Sequence, residues 1–200
     1  IENLKKIKQL LVSGDLTNII LAFEIGNSLI TDMRSFVEGN YGFLLSLFEL
    51  KGNVQEQLAA LFLLNNFTIQ EGEITSFRIP YRRLSELNKD ISQLKTLKEF
   101  TLSDNRLREL PPEIGELIHL EYLLLYNNHL TELPKETGRL RSLRTLRVSN
   151  NNLSFLPSET GQLKNLEELD VFKNKIHRLP KTIGGLKNLK TLMAGNNLLS

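Results

Sequence analysis

Cysteine is absent from this 200-residue chain. No disulfide frame can form, and no metal site can be built on thiolates. The absence leans toward a reducing compartment, a cytoplasmic one in the simplest case. A chain that opens at Ile1 instead of Met keeps a secreted or surface-exposed protein open as an alternative. Long hydrophobic runs are missing as well. No apolar stretch reaches the roughly 18 residues of a membrane span, and no basic-then-apolar leader is visible. Charge of one sign is not in excess: 25 Lys and Arg against 23 Asp and Glu leave +2. No global field therefore favours nucleic acid. Histidine is scarce. His119, His129 and His177 fall at different phases, and no pair has ligand spacing on one helix or strand. Gly184-Gly185 lacks the lysine of a phosphate-binding loop. Ser103 and Ser149 are expected on exposed strand positions, but no histidine shares their columns, so no nucleophile–base pair is visible. These absences predict a chain with no catalytic residues, no metal and no cofactor.

What the chain has instead is a beat. Asn105, Asn128, Asn151, Asn174 and Asn197 recur at every 23rd residue. Each closes one phrase. The phrase runs Leu97, Phe100, Leu102, Asn105, Leu107, and then Leu120, Leu123, Leu125, Asn128, Leu130. It returns as Leu143, Leu146, Val148, Asn151, Leu153, and as Leu166, Leu169, Val171, Asn174, Ile176. Leu189, Leu192, Ala194, Asn197 and Leu199 make the last copy. One period before Leu97, the residues Ile74, Phe77, Ile79, Leu84 and Leu87 fill the same apolar slots, with Arg82 in the asparagine slot. Between phrases runs a return half, Leu110-Pro111-Pro112-Glu113-Ile114-Gly115-Glu116-Leu117 in the first clear copy. It recurs from Leu133, Leu156 and Leu179.

The phrase L-x-x-L-x-L-x-x-N-x-L, followed by L-P-x-E-[IT]-G-x-L, resembles the short leucine-rich repeats of bacterial proteins and of plant Ras-group repeat proteins. The resemblance implies an α/β fold: a solenoid or horseshoe with a parallel sheet on its concave face, whose usual activity is protein binding. Six repeats are expected over residues 74–200, starting near Ile74, Leu97, Leu120, Leu143, Leu166 and Leu189, the last incomplete. Apolar fourth and sixth positions put both side chains on one face of a short strand. Proline stops the strand and glycine tolerates the tight return. Thr137 and Thr160 replace the isoleucine seen at Ile114 and Ile183, which thins the far side of the core there. The asparagines read as a structural ladder, because one carboxamide both donates and accepts where the chain leaves the strand.

Function in this architecture belongs to side chains that face away from the core. The repeat register assigns Tyr81, Tyr122, Leu124, Tyr126, Phe172 and Met193 to that face, with Tyr122, Leu124 and Tyr126 alternating along one strand. Folding does not need large apolar groups there, and a clustered exposed patch marks an interaction site. Arg147 sits between them, in one column with Asp170, and Lys173 is nearby. These nine residues are the predicted partner-binding set. The basic run Gly138-Arg139-Leu140-Arg141-Ser142-Leu143-Arg144-Thr145-Leu146-Arg147 invites a nucleic-acid reading. The second phrase position argues against it: Lys98, Glu121, Arg144, Glu167 and Lys190 alternate in sign, a ladder of weak cross-strand pairs.

Residues 1–67 read as helices. Leu4, Ile7 and Leu11 share a helical face, Asp15 caps a second segment, and Asn53 with Glu56 forms a capping box. An all-helical N-terminal cap is the expectation. At the other end no polar capping unit follows the last phrase, which predicts either a longer protein or self-association through a bare final strand. The sequence thus predicts a protein- or peptide-binding scaffold. The alternatives are the recognition arm of a larger multidomain signalling enzyme or effector, and an architectural spacer acting through its ends.

Overall fold

The computed structural model describes residues 67–70, 73–79 and 84–200. The expected helical cap and Tyr81 lie outside these residues. Seven strands form one sheet: β1 (Phe67–Gln70), β2 (Glu73–Arg78), β3 (Glu99–Thr101), β4 (Tyr122–Leu124), β5 (Thr145–Arg147), β6 (Glu168–Asp170) and β7 (Thr191–Met193). They lie side by side in chain order. β2 through β7 run parallel, and each residue faces its equivalent one period on, as in Phe100↔Leu123 and Leu146↔Leu169. β1, which the repeat pattern did not announce, pairs antiparallel with β2 through an irregularity between Thr68 and Ile69. It occupies the edge that the first repeat would otherwise leave unpaired.

Only three residues of each coil from the second on are strand. The fourth phrase position points inward, and the third and fifth point outward. Register is held by that alternation, since a slip of one residue would bring every buried leucine to water. The inward column Phe77, Phe100, Leu123, Leu146 and Leu169 is fully buried. Phe77 and Phe100 stack with ring centroids 5.8 Å apart and an interplanar angle of 5°. Leu110, Leu133 and Leu156 open each return half and are also buried.

Those return halves are 3-10 turns, and the described residues contain no α-helix. Within the described residues the solenoid is therefore built of strands joined by 3-10 arcs. The reason is length. Each proline caps a five-residue segment, as Pro111 does for Pro112–Glu116 and Pro134 for Lys135–Arg139. The segment closes with i→i+3 bonds, the Ile114 N–H donating to Pro111 and the Leu117 N–H to Ile114. So few residues fit the tighter helix better than the α form.

Glycine makes the arcs stack closely. A Cβ at Gly115 would lie 2.5 Å from the carbonyl oxygen of Glu136, and one at Gly138 would lie 2.5 Å from that of Glu159. Gly161 meets Thr182 in the same way, whereas Gly184 has nothing within 4 Å. The same contrast appears in the core. Leu123, Leu146 and Leu169 are 0% exposed, but their equivalent Leu192 is 42% exposed. Leu198 and Leu199 are exposed too. Thr137 and Thr160 are buried at the threonine-for-isoleucine positions, and the Thr137 hydroxyl has no hydrogen-bond partner.

Candidate binding face

The asparagines bind coil to coil. The Asn128 Nδ2 donates to the Leu102 carbonyl of the preceding coil and to the Leu125 carbonyl of its own, both at 3.0 Å. Its Oδ1 accepts from the Leu107 N–H at 3.0 Å. Asn151 repeats the set with Leu125, Val148 and the Leu130 N–H. Asn174 does so with Val148, Val171 and the Leu153 N–H, and Asn197 with Val171, Ala194 and the Ile176 N–H. Asn105 donates to Ile79 and Leu102 and accepts from the Leu84 N–H. These amides satisfy buried backbone groups that strands of three residues cannot pair.

Just before each asparagine the backbone turns left-handed. Asp104, Asn127, Asn150, Lys173 and Asn196 have φ between 54° and 59°. Four of these are Asn or Asp, which tolerate that conformation; lysine does not share the tolerance. The turn exposes a row of polar side chains along one margin of the sheet. The Asn127 Nδ2 donates to the Asp104 Oδ1 at 2.7 Å.

The outward face of the strands is partly apolar. Tyr122 is 40% exposed, Phe172 42% and Met193 37%, while Leu124 and Tyr126 are half-buried. β4 ends at Leu124, so Tyr126 stands in the turn after it and not on the strand itself. Arg147 is exposed, but its guanidinium is engaged: Nε and Nη2 donate to the two Glu168 carboxylate oxygens at 2.7 and 3.1 Å. That hydrogen-bonded carboxylate holds the Arg147 pKa above its usual value, against the opposing effect of burial. Asp170 faces Arg147 in the strand register, yet the bidentate partner is Glu168. Arg78 makes the equivalent contact with Glu99 at 2.6 Å. Asp170 is itself only 9% exposed, and its carboxylate accepts from the Phe172 N–H at 3.0 Å. Lys173 is exposed.

Two sequence expectations change here. Ser103 is fully buried and not exposed, while Ser149 is half-buried. The Ser103 hydroxyl has no hydrogen-bond partner, so it stands next to no base. The alternating charge column is realised at one end. Glu167 meets Lys190 at 2.6 Å and Arg144 at 3.6 Å. Lys98 and Glu121 form no ion pair among the described residues. Contact with Lys190, by hydrogen bond and by charge, holds the Glu167 carboxyl below its ordinary range, with a smaller contribution from Arg144. Among the described residues no group of three or more His, Cys, Asp or Glu is placed to hold a metal. None of their helices is long and apolar enough to cross a membrane.

One feature was missed in the sequence. Glu86, Glu109 and Glu132 stand one period apart and line a recess of about 600 Å³ with Pro111, Pro112 and Pro134. The same 23-residue count that found the asparagines finds this column.

Stacked coils of one strand and one 3-10 arc, joined by a buried amide ladder, define a solenoid repeat protein. Residues 112–198 match the profile of a leucine-rich repeat region, and residues 96–117 that of a leucine-rich repeat. The chain belongs to the leucine-rich repeat family, whose domains are protein-interaction scaffolds. Among solved structures it is similar to a leucine-rich repeat protein of Leptospira interrogans, at 38% identity and TM-score 0.53, over 62% of this chain and 37% of that one. A TDR receptor shares 36% identity at TM-score 0.58, over 62% of this chain and 22% of the receptor. The leucine-rich repeat ectodomain of the Arabidopsis thaliana receptor kinase SOBIR1 shares 31% identity at TM-score 0.57, over 64% of this chain and 72% of the ectodomain. The chain therefore spans well under half the length of the first two. No curated protein matches it.

Proposed function

We propose that residues 74–200 are a non-catalytic protein- or peptide-binding scaffold that uses the concave face of its repeats. The observation that carries this reading is the exposure of Tyr122 and Phe172 at outward strand-side positions where the core does not need them. Tyrosine and arginine are the residue types that dominate binding energy at protein interfaces. The central contacts are Tyr122, Leu124, Tyr126, Arg147 and Phe172, and Tyr81 and Met193 complete the set. Lys173 supplies charge. Asp170 holds the Phe172 backbone and so acts through the ring and not by direct contact. The helices expected in residues 1–67 act as the N-terminal cap of the solenoid. The similarity to a Leptospira protein supports a bacterial member of the family.

Affinity capture from lysate tests the reading, comparing the parent chain with a Tyr126→Ala/Phe172→Ala double variant. The expected result is loss of at least one captured protein with an unchanged melting curve. Equal capture of every protein by both would refute the concave-face site.

A second reading, the recognition arm of a larger protein, rests on the similarity to SOBIR1, where such repeats form the ectodomain of a receptor kinase. In this reading the repeats serve the same office within a larger signalling enzyme or effector. A third concerns the last coil. Its apolar face, with Leu192, Leu198 and Leu199 exposed, supports self-association through β7. Light scattering of the 200-residue chain decides that point: a monomer at high concentration removes it.

A further inference from the structure

One column of the outward face alternates in size. The seventh phrase position reads Ser103, Tyr126, Ser149, Phe172, Gly195. The two rings stand two strand spacings apart, roughly 10 Å, with Ser149 between them. Their surroundings are not equivalent. Phe172 lies against Gly195: its ring edge is 3.4 Å from the point where a Cβ on that glycine would stand. The ring therefore leans toward the last coil and away from Ser149. Ser103 is sealed, whereas Ser149 keeps part of its surface. Tyr126 and Phe172 thus flank Ser149 along this column, the small side chain leaving a notch between two large ones. Van der Waals contact needs about 3.5–4.0 Å between carbon atoms on each side. A notch of this width admits one flat or branched side chain and no more.

On the coil of Phe172 the exposed charges that form no ion pair among the described residues are all cations. Arg147 is neutralised by Glu168, and the Asp170 carboxylate is turned to the Phe172 N–H. Lys173 and Lys175 follow Phe172 on the same coil, and both are exposed. Neither forms an ion pair among the described residues. Arg178 adds a third such cation three residues further on. Unpaired cations beside an apolar notch match carboxylates that flank an apolar side chain.

We infer that the notch over Ser149 receives one large apolar side chain of an acidic peptide segment, whose carboxylates meet Lys173 and Lys175. The inference rests on the concave-face reading above and names the partner's chemistry.

The test is panning of a phage-displayed library of random 12-residue peptides against the 200-residue chain. Enriched clones are expected to carry a Phe, Tyr, Trp or Leu flanked by at least two Asp or Glu. Their binding should fall tenfold or more in Ser149→Trp, which fills the notch. It should fall as far in Lys173→Asp/Lys175→Glu; aspartate suits the left-handed backbone, as Asp104 does at φ 59°. Thermal melts confirm that each variant is folded. Enriched clones without acidic residues, or clones indifferent to both variants, overturn the inference. If such clones still lose binding in Tyr126→Ala/Phe172→Ala, the concave-face reading survives without it. No enrichment, or enrichment that survives that double change, overturns both.

Discussion

The Asn150 side chain donates from Nδ2 to the Asn127 Oδ1 at 2.6 Å, across the gap between two coils. Both residues sit at φ 56°. Asn127 in turn donates to Asp104, so three left-handed residues form one hydrogen-bonded row. The row stops at Lys173, which holds φ 54° with a side chain unsuited to it. Left-handed backbone costs an ordinary residue roughly 1–2 kcal/mol, and asparagine less. Lys173→Asn should therefore stabilise the fold by about 1 kcal/mol, read as a higher urea midpoint at unchanged slope. If the inferred acidic partner is right, the same variant binds it more weakly. Stability and binding move in opposite directions, which a general folding defect cannot mimic.

Thr137 carries a different kind of cost. Its hydroxyl is buried without a partner, in a slot that holds Ile114 one coil earlier. An unsatisfied buried polar group costs roughly 1–3 kcal/mol. Thr137→Val keeps the shape and removes the hydroxyl, and it should raise stability by about 1 kcal/mol. The Thr160 hydroxyl is not orphaned in this way, so Thr160→Val should gain less. Equal gains from both would show that apolar area, and not the orphaned hydroxyl, sets the effect.

The repeat made most of the architecture readable before any coordinates. A 23-residue count assigns Leu123 inward and Tyr122 outward, and it marks Asn128 as a structural residue where the chain leaves the strand; that its amide also binds the preceding coil came from the structure. What the count could not see depends on particular neighbours. Ser103 and Ser149 share a column, yet one is sealed and the other is not. Arg147 has Asp170 opposite and Glu168 diagonal. It takes the diagonal, as Arg78 does with Glu99, while the Asp170 carboxylate accepts from the Phe172 N–H. The Leu-Pro half was legible as the return of the chain, but not the 3-10 form that its five residues take. β1 escaped because it stands outside the period altogether. Of the candidate face, Tyr122, Phe172 and Met193 are exposed and Asp170 is buried.

The return-half glycines offer a comparison internal to the chain. At Gly138 a methyl group would collide with the Glu159 backbone in the next coil, and at Gly184 it would meet nothing. Overpacking of this kind costs about 1–3 kcal/mol. Gly138→Ala should therefore lower the urea midpoint by that order. Gly184→Ala should be neutral, or stabilising by up to about 1 kcal/mol through the unfolded chain. Similar losses at both positions would mean that something covers the Gly184 face in solution, and light scattering of the same samples would identify a second copy as the cover.

Glu167 links the outward charge column to pH. Its carboxyl is held below the ordinary range in the folded chain, first by the Lys190 hydrogen bond and charge and then by Arg144. A depressed folded value means that the unfolded chain takes up its proton first as pH falls. The stabilisation is therefore complete above the ordinary carboxyl value of about 4.3 and disappears as pH drops through the lower folded value. The side chain is partly exposed, so the effect is small and screened by salt. Glu167→Gln should melt slightly below the parent at pH 6 in low salt and together with it at pH 3. The pH 6 difference should shrink in 1 M salt. A gap that persists unchanged at pH 3 would mean that Glu167 contributes through packing of its stem and not through its charge, and the Lys98-to-Lys190 column would then be a surface pattern without energetic consequence.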